Sequence, residues 1–325
     1  MAETVIQAHG LVKRYGDLEA VRGIDLEVNG GEIFGFLGPN GAGKSTTISI
    51  LCTLLTPSAG TARVAGIDVM HDPAGVRQRI GLVFQDPSLD DQLTGRENLE
   101  FHAFIYSVPS SVRRQRIDEM LELLKLTDRA GSQVRTYSGG MKRRLEIARG
   151  MLHEPDILFL DEPTLGLDPQ TRQTIWHHLN ELRSRKGITI FMTTHYMDEA
   201  ENCGRIAIID HGSIVALDTP DKLKDAVGGD LVTFSTADNA AAATHVRERY
   251  HVEPLVQDGQ VRFQIAAGET FLPDFVREFP QRLLSVGLRR PTLEDVFLAL
   301  TGREIRDSEL DAKEMLLAGM GRWGR

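Results

Sequence analysis

The chain has 325 residues, 41% hydrophobic and 26% charged, with a formal net charge of -9. That length accommodates one large domain and a smaller one. The acidic balance excludes a nucleic-acid or membrane-surface binder working by bulk charge, so no nucleic-acid partner is expected. Cys52 and Cys203 show no metal-ligand spacing and imply no disulfide framework, no apolar run approaches the roughly 18 residues needed to span a bilayer, and the N-terminus lacks signal-peptide character.

In chain order, "VIQAHGLVKRY" and "IDLEVNGGEIFGFLG" read as strands, with Asn29-Gly30 as a hairpin signal. A helix is expected from about Gly43 through "KSTTISILCTLL". Ile80 to Gln85 reads as a short buried strand. From about Leu93 to Gln133 the chain reads as helical, opening on a capping-box pattern at Thr94 and Glu97. The next helix, opening in "TYSGGMKRRLEIARGM", repeats apolar Met141, Leu145, Ala148 and Leu152 at helical spacing. Two glycines in its first turn need a reason, because glycine is a poor helix former. Strands return at "ILFLD" and "ITIFMTTH", separated by a helix, and strand–helix alternation predicts a parallel sheet covered by helices. "RIAIIDHGSIVALDTP" reads as a hairpin. Beyond Pro220 the composition shifts to a small α+β pattern with an Asp258-Gly259 turn, and the last 20 or so residues are charged.

Three stretches carry chemistry. "GPNGAGKS", Gly38 to Ser45, matches GxxxxGK(S/T) between a strand and a helix. Glycines let backbone amides wrap a phosphate chain at a positively polarised helix end. Lys44 is expected to hold β- and γ-phosphates, and Ser45 to ligate magnesium. "ILFLDE" ends an apolar strand in two acids, which therefore emerge at the sheet's carboxyl edge. Asp161 there suits magnesium, and Glu162 suits a general base for attacking water. His195 and Gln85 end strands on the same edge, His195 placed to orient the water and Gln85 to touch the metal shell and the water. Ser138, Gly139 and Gly140 form a second phosphate receptor at a helix start, which makes sense if two copies each complete the other's site.

The ordered set resembles the nucleotide-binding subunit of an ABC transporter over residues 4 to 220. "GPNGAGKS" resembles Walker A, Gln85 the Q-loop, "YSGGM" the signature usually written LSGGQ, "ILFLDE" Walker B, "LGLD" the D-loop and His195 the switch histidine. The signature departs at Tyr137 and Met141. The resemblance implies a P-loop ATPase fold with a mixed β-sheet over residues 1–220, including a helical subdomain at about 93–155. A C-terminal α+β domain over 221–303 and a charged tail over 304–325 follow. It further implies Tyr15 stacked on adenine, and ATP with Mg2+ held by Gly38, Pro39, Asn40, Gly41, Ala42, Gly43, Lys44, Ser45 and Thr46. Across a head-to-tail homodimer or pseudo-symmetric heterodimer the nucleotide would meet Ser138, Gly139, Gly140 and Asp168. "PTLEDVFLALTGRE" resembles the C-terminal segment of drug-export ATPases of the daunorubicin-resistance type, and Thr292 with Asp295 also forms a capping pattern. The implied function is ATP hydrolysis driving efflux of a drug-like, lipid or polymer substrate through a separate membrane permease, at the cytoplasmic side of the cell membrane. An importer subunit, or a soluble ABC ATPase acting on DNA or ribosomes, is the alternative.

Overall fold

The computed structural model describes residues 3–302 except Pro87 and Asp258; the charged tail expected over 304–325 lies outside the described residues. The chain divides into two compact units, one up to Leu217 and one from Asp218.

In the first unit β1 (Thr4–Tyr15), β2 (Leu18–Asn29), β4 (Ala59–Val64) and β5 (Ile67–Asp68) form one sheet in the order β2-β1-β4-β5. All its pairings are antiparallel. The hairpin joins β1 to β2 at Gly16–Asp17, not at Asn29-Gly30 as the sequence suggests. The reason is burial: β3 (Ile33–Leu37) is buried at every position, so it enters the centre of a different sheet. The Asn29 turn redirects the chain there, anchored by the Gly31 amide donating to Thr189 Oγ1 at 2.9 Å.

That second sheet has the order β10-β9-β3-β8-β7-β6, from β6 (Ile80–Val83), β7 (Ile157–Asp161), β8 (Thr189–Thr194), β9 (Arg205–Asp210) and β10 (Ser213–Asp218). Its β3, β6, β7, β8 and β9 pair in parallel. Wholly buried strands such as "ILFLD" and "TIFMTT" belong in such a sheet, because both of its faces are covered, and its core is shared with apolar residues of β1 and β2 as well as of the helix that begins at Lys44. Phe34, Phe36, Phe159 and Phe191 lie in its core, with Phe191 5.4 to 5.7 Å from the other three rings. The helices are α1 (Lys44–Leu51), α2 (Pro73–Arg79), α3 (Gly95–Ile105), α4 (Ser110–Leu123), α5 (Gly139–Met151), α6 (Pro169–Lys186) and the short α7 (Met197–Ala200). α3 opens on the expected capping box: the Glu97 amide donates to Thr94 Oγ1, and the Thr94 amide donates to Glu97 Oε2 at 2.7 Å.

The second unit holds α8 (Pro220–Ala226), β11 (Asp230–Ser235), α9 (Asn239–Tyr250), β12 (Leu255–Gln257), β13 (Gln260–Ile265), α10 (Gly268–Glu278), β14 (Ser285–Arg289) and α11 (Leu293–Thr301). Its strands make an antiparallel sheet, β12-β13-β11-β14. Gln257 pairs with Gln260, which brackets the expected turn; Asp258 itself lies outside the described residues. An aromatic core of Phe234, Phe263, Phe275 and Phe279 seats α9 and α10 on this sheet. α11 starts on a second capping box, Thr292 with Asp295, and buries Leu293, Val296 and Phe297. The "PTLEDVFLALTG" segment is thus a capped amphipathic helix.

Candidate active site

The glycine loop links β3 to α1, so its geometry follows from a buried strand turning into a helix within a few residues. Gly43 is the N-cap of α1 with φ of 105°, a conformation that side chains resist. A Cβ there would also lie 2.5 Å from the Ala20 carbonyl oxygen. Asn40 and Gly41 are exposed, Pro39 and Thr46 half-buried, and Gly38, Ala42 and Lys44 buried. The Lys44 ammonium reaches back over the loop and donates to the carbonyls of Gly38 at 2.8 Å and Pro39 at 3.1 Å. A glycine-rich loop, a helix end and a buried cation make a cradle suited to phosphate.

Parallel pairing brings three strand ends to this cradle. Leu37 is level with Thr194, and Asp161 with Thr193. Lys44 Nζ lies 3.2 Å from Glu162 Oε1, and His195 Nδ1 lies 3.2 Å from Glu162 Oε2. Burial pulls the Lys44 ammonium below its ordinary pKa, against the opposing pull of Glu162 and Asp161. Burial pushes the Glu162 carboxyl up, but His195 and Lys44 together outweigh it and hold the group below its ordinary value. Glu162 is thus a buried carboxylate kept ionised between two nitrogen groups.

Thr193 sets the acidic pair. Its hydroxyl donates to Asp161 Oδ1 at 2.5 Å and accepts from the Glu162 amide at 3.0 Å. Ser45 Oγ donates to the same Asp161 oxygen at 3.3 Å. Among the described residues no three His, Cys, Asp or Glu side chains form a metal cage. Magnesium needs none, because it takes one or two protein oxygens with substrate phosphates and water. Ser45 Oγ and Asp161 Oδ1 fit that requirement.

Gln85 is exposed two residues past Val83, whose partner Leu160 directly precedes Asp161. Tyr15 ends β1, 46% exposed, with Lys13 Nζ 5.3 Å from its ring centroid. Ser138, Gly139 and Gly140 stand at the start of another helix. Ser138 is its N-cap, accepting from the Met141 amide at 3.3 Å. The bare first turn has a packing cause as well as a ligand-binding rationale: a Cβ on Gly140 would lie 2.3 Å from Thr171 Cγ2. Tyr137, where the signature departs from the usual leucine, is buried and donates its hydroxyl to the Arg129 carbonyl at 2.6 Å. Asp168 caps α6, accepting from Thr171 N at 3.0 Å and Thr171 Oγ1 at 2.6 Å.

Sequence reasoning missed Glu199. It is buried four residues past His195 and accepts from the hydroxyls of Thr164 and Thr194, the latter at 2.7 Å. Burial raises its carboxyl to about 7. Nothing in "THYMDEA" marks it out, because an acid in the first turn of a helix reads as a solvated group. A groove of about 700 Å³ lies elsewhere, at the amino ends of the strands, lined by Gly31, Arg79, Arg116, Asp156 and Ile188 among others. Its arginines pair with Asp156 and Glu154, and it holds none of the candidate residues.

Comparison with known proteins agrees with this geometry. The ABC transporter family profile matches residues 21–165. The daunorubicin resistance ATP-binding protein DrrA2 of Streptomyces coeruleorubidus is 42% identical over 318 residues, covering 95% of this chain and 98% of that protein. The linearmycin resistance ATP-binding protein LnrL of Bacillus subtilis is 38% identical over 312 residues, covering 93% and 100%. The ATP-binding cassette MJ0796, solved as a dimer in a post-hydrolysis state bound to ADP and Pi, superposes with a TM-score of 0.60 at 29% identity, covering 66% of this chain and 98% of that one. With its glycine-loop cradle, its strand-end acids and near full-length relatives of this kind, the chain belongs to the ABC transporter family, as an ATP-binding subunit that hydrolyses ATP.

Proposed function

We propose that the chain powers export of a drug-like, lipid or polymer substrate through a separately encoded permease, from the cytoplasmic face of the cell membrane. The observation that carries the catalytic part is the buried contact chain from Lys44 through Glu162 to His195 at the mouth of the glycine loop. In this reading the loop from Gly38 to Thr46 wraps the phosphates, Lys44 holds the β- and γ-phosphates, and Tyr15 stacks on adenine. Ser45, Asp161 and Gln85 hold Mg2+, which when bound neutralises charge on the phosphates. Glu162 accepts a proton from water as the water oxygen bonds to the γ-phosphorus. The bond to the β–γ bridging oxygen breaks, and its electron pair leaves with ADP. His195 orients the water and steadies Glu162.

The second phosphate receptor gives the dimer its reason. Ser138, Gly139, Gly140 and Asp168 of one protomer face the nucleotide on the other, in a head-to-tail homodimer or pseudo-symmetric heterodimer. The MJ0796 dimer supports pairing between cassettes of this kind. Among the described residues no helix is long and apolar enough to cross a membrane, in keeping with a permease on another chain. Phe101, Phe104 and Ile105 on α3 are 60%, 69% and 54% exposed, an apolar surface suited to a permease's cytoplasmic loops. In this reading residues 1–220 form the motor and 221–303 an accessory domain that supports or regulates the dimer.

Copurification from a detergent extract tests the assignment. A membrane protein should be retained by the chain and lost on Phe104→Asp, and vesicles carrying both should move a drug-like compound outward only with ATP. A chain that hydrolyses ATP but retains no membrane protein would refute the transport role.

A further inference from the structure

Arg143 is buried in the second turn of α5, five residues beyond Ser138, where an arginine ordinarily faces water. It has five N–H donors, and all five have acceptors. Nε donates to the Pro163 carbonyl at 2.6 Å, and Nη1 to the Phe84 carbonyl at 2.5 Å and Glu146 Oε2 at 3.1 Å. Nη2 donates to the carbonyls of Asp161 at 3.3 Å and Glu162 at 2.9 Å. The side chain therefore grips three consecutive carbonyls around Glu162, and a fourth on the residue just before Gln85.

Glu162 is where such a grip is needed. Its φ is 45°, in the left-handed region that a non-glycine residue enters at a cost. Such backbone persists only when its surroundings over-determine it. Arg143 is itself fixed. Glu146 is fully buried beside it, accepts from the Ser88 amide at 2.8 Å, and lies 3.9 Å from Arg149 Nη2. Arg149 in turn donates to the Ser88 carbonyl at 2.8 Å and the Ser88 hydroxyl at 2.7 Å.

We propose that Arg143 is a positioning residue for hydrolysis: from the helix that carries Ser138 to Gly140, its guanidinium fixes the strained backbone of Glu162 and the entry to Gln85 as one unit. It touches no substrate and acts through Glu162, so the inference rests on Glu162 being the base. A lysine cannot replace it, because three donors on one nitrogen cannot span four carbonyls and a carboxylate.

The experiment is a cycle of Arg143→Lys, Glu162→Gln and the double variant in the full chain, measuring ATP affinity, kcat, KM and thermal unfolding. Arg143→Lys should lower kcat about 10- to 100-fold, the penalty of a misplaced catalytic group, with ATP affinity and KM within about twofold. In the Glu162→Gln background the same change should lower kcat no further. Glu146→Gln, which keeps the shape and removes the anchoring charge, should give a smaller loss confined to kcat. Unchanged kcat in Arg143→Lys, a loss appearing in KM, or a full additional loss in the double variant would overturn the proposal. Failure of both Arg143→Lys and Glu146→Gln to fold would also overturn it, marking the network as structural only. Ordinary turnover by Glu162→Gln alone would instead remove the base assignment.

Discussion

The Lys44 ammonium and the Glu162 carboxylate stand 3.2 Å apart, with side chains 4% and 8% exposed. The cation proposed to hold phosphate thus already holds an internal anion. In the proposed mechanism a nucleotide would compete with that carboxylate for the ammonium, and success would free Glu162 to meet water. Glu162→Gln removes the competitor and the proton acceptor together. ATP affinity should be held or increased while phosphate release falls about 100-fold or more. Equilibrium nucleotide binding and steady-state phosphate assays check both halves. Turnover near that of the unaltered chain would contradict the assignment.

Gly140→Ala should be destabilising for a steric reason that can be relieved. The new methyl would meet Thr171 Cγ2 at 2.3 Å. Overpacking of this kind costs about 1–3 kcal/mol. Thr171→Ser deletes that methyl and keeps the hydroxyl that binds Asp168, so it should recover most of the loss. Urea unfolding of the single and double variants reads the result, and equal stability of the two would refute the contact.

Glu199 gives a pH dependence with a definite sign. Its folded carboxyl titrates at about 7 because burial disfavours the charge, while in the unfolded chain it titrates at the ordinary value of 4.5. Between those values the folded chain binds more protons than the unfolded one, so this group's contribution to stability falls as pH rises through that window. The loss is about 3 kcal/mol at most, and it is complete above pH 7. Glu199→Gln should flatten this slope and leave the chain more stable at pH 8. Thermal melts from pH 5 to 8 would show it; parallel slopes in the two proteins would contradict the cause.

In the second unit, Arg289 grips Asp295 through two bonds, at 2.5 and 2.8 Å. That contact, ahead of the Thr292 cap and against the opposing effect of burial, holds the carboxyl at about 2. A lowered pKa means stability present above the ordinary carboxylate value of 3.8 and lost as pH falls toward 2. Thr292→Ala should cost about 1 kcal/mol at α11. Faster hydrogen exchange confined to α11 amides, with unchanged ATP hydrolysis, is the expected signature, and unchanged exchange would refute the cap.

Much of the motor was legible in the sequence because its chemistry is written locally. The glycine loop needs residues of a given type at fixed spacing, and an apolar strand ending in acids declares both its burial and its edge. The turn at Asn29 was misread because a hairpin and a crossing between sheets begin with the same residues; only the full burial of β3 separates them. Arg143, Glu146 and Arg149 were illegible for a related reason. Charged residues on a helix read as solvated, and here their hydrogen-bond partners lie on Phe84, Ser88, Asp161, Glu162 and Pro163, which no helical period connects.

Thr171 links two helix starts. Its methyl fills the space that Gly140 leaves bare, and its hydroxyl and amide hold Asp168. The stretch that would greet a neighbour's triphosphate and the aspartate that would flank it are therefore mounted on a single side chain. In the proposed pair of protomers they would arrive and depart as one rigid block, so separation after cleavage should be abrupt, without a half-released stage.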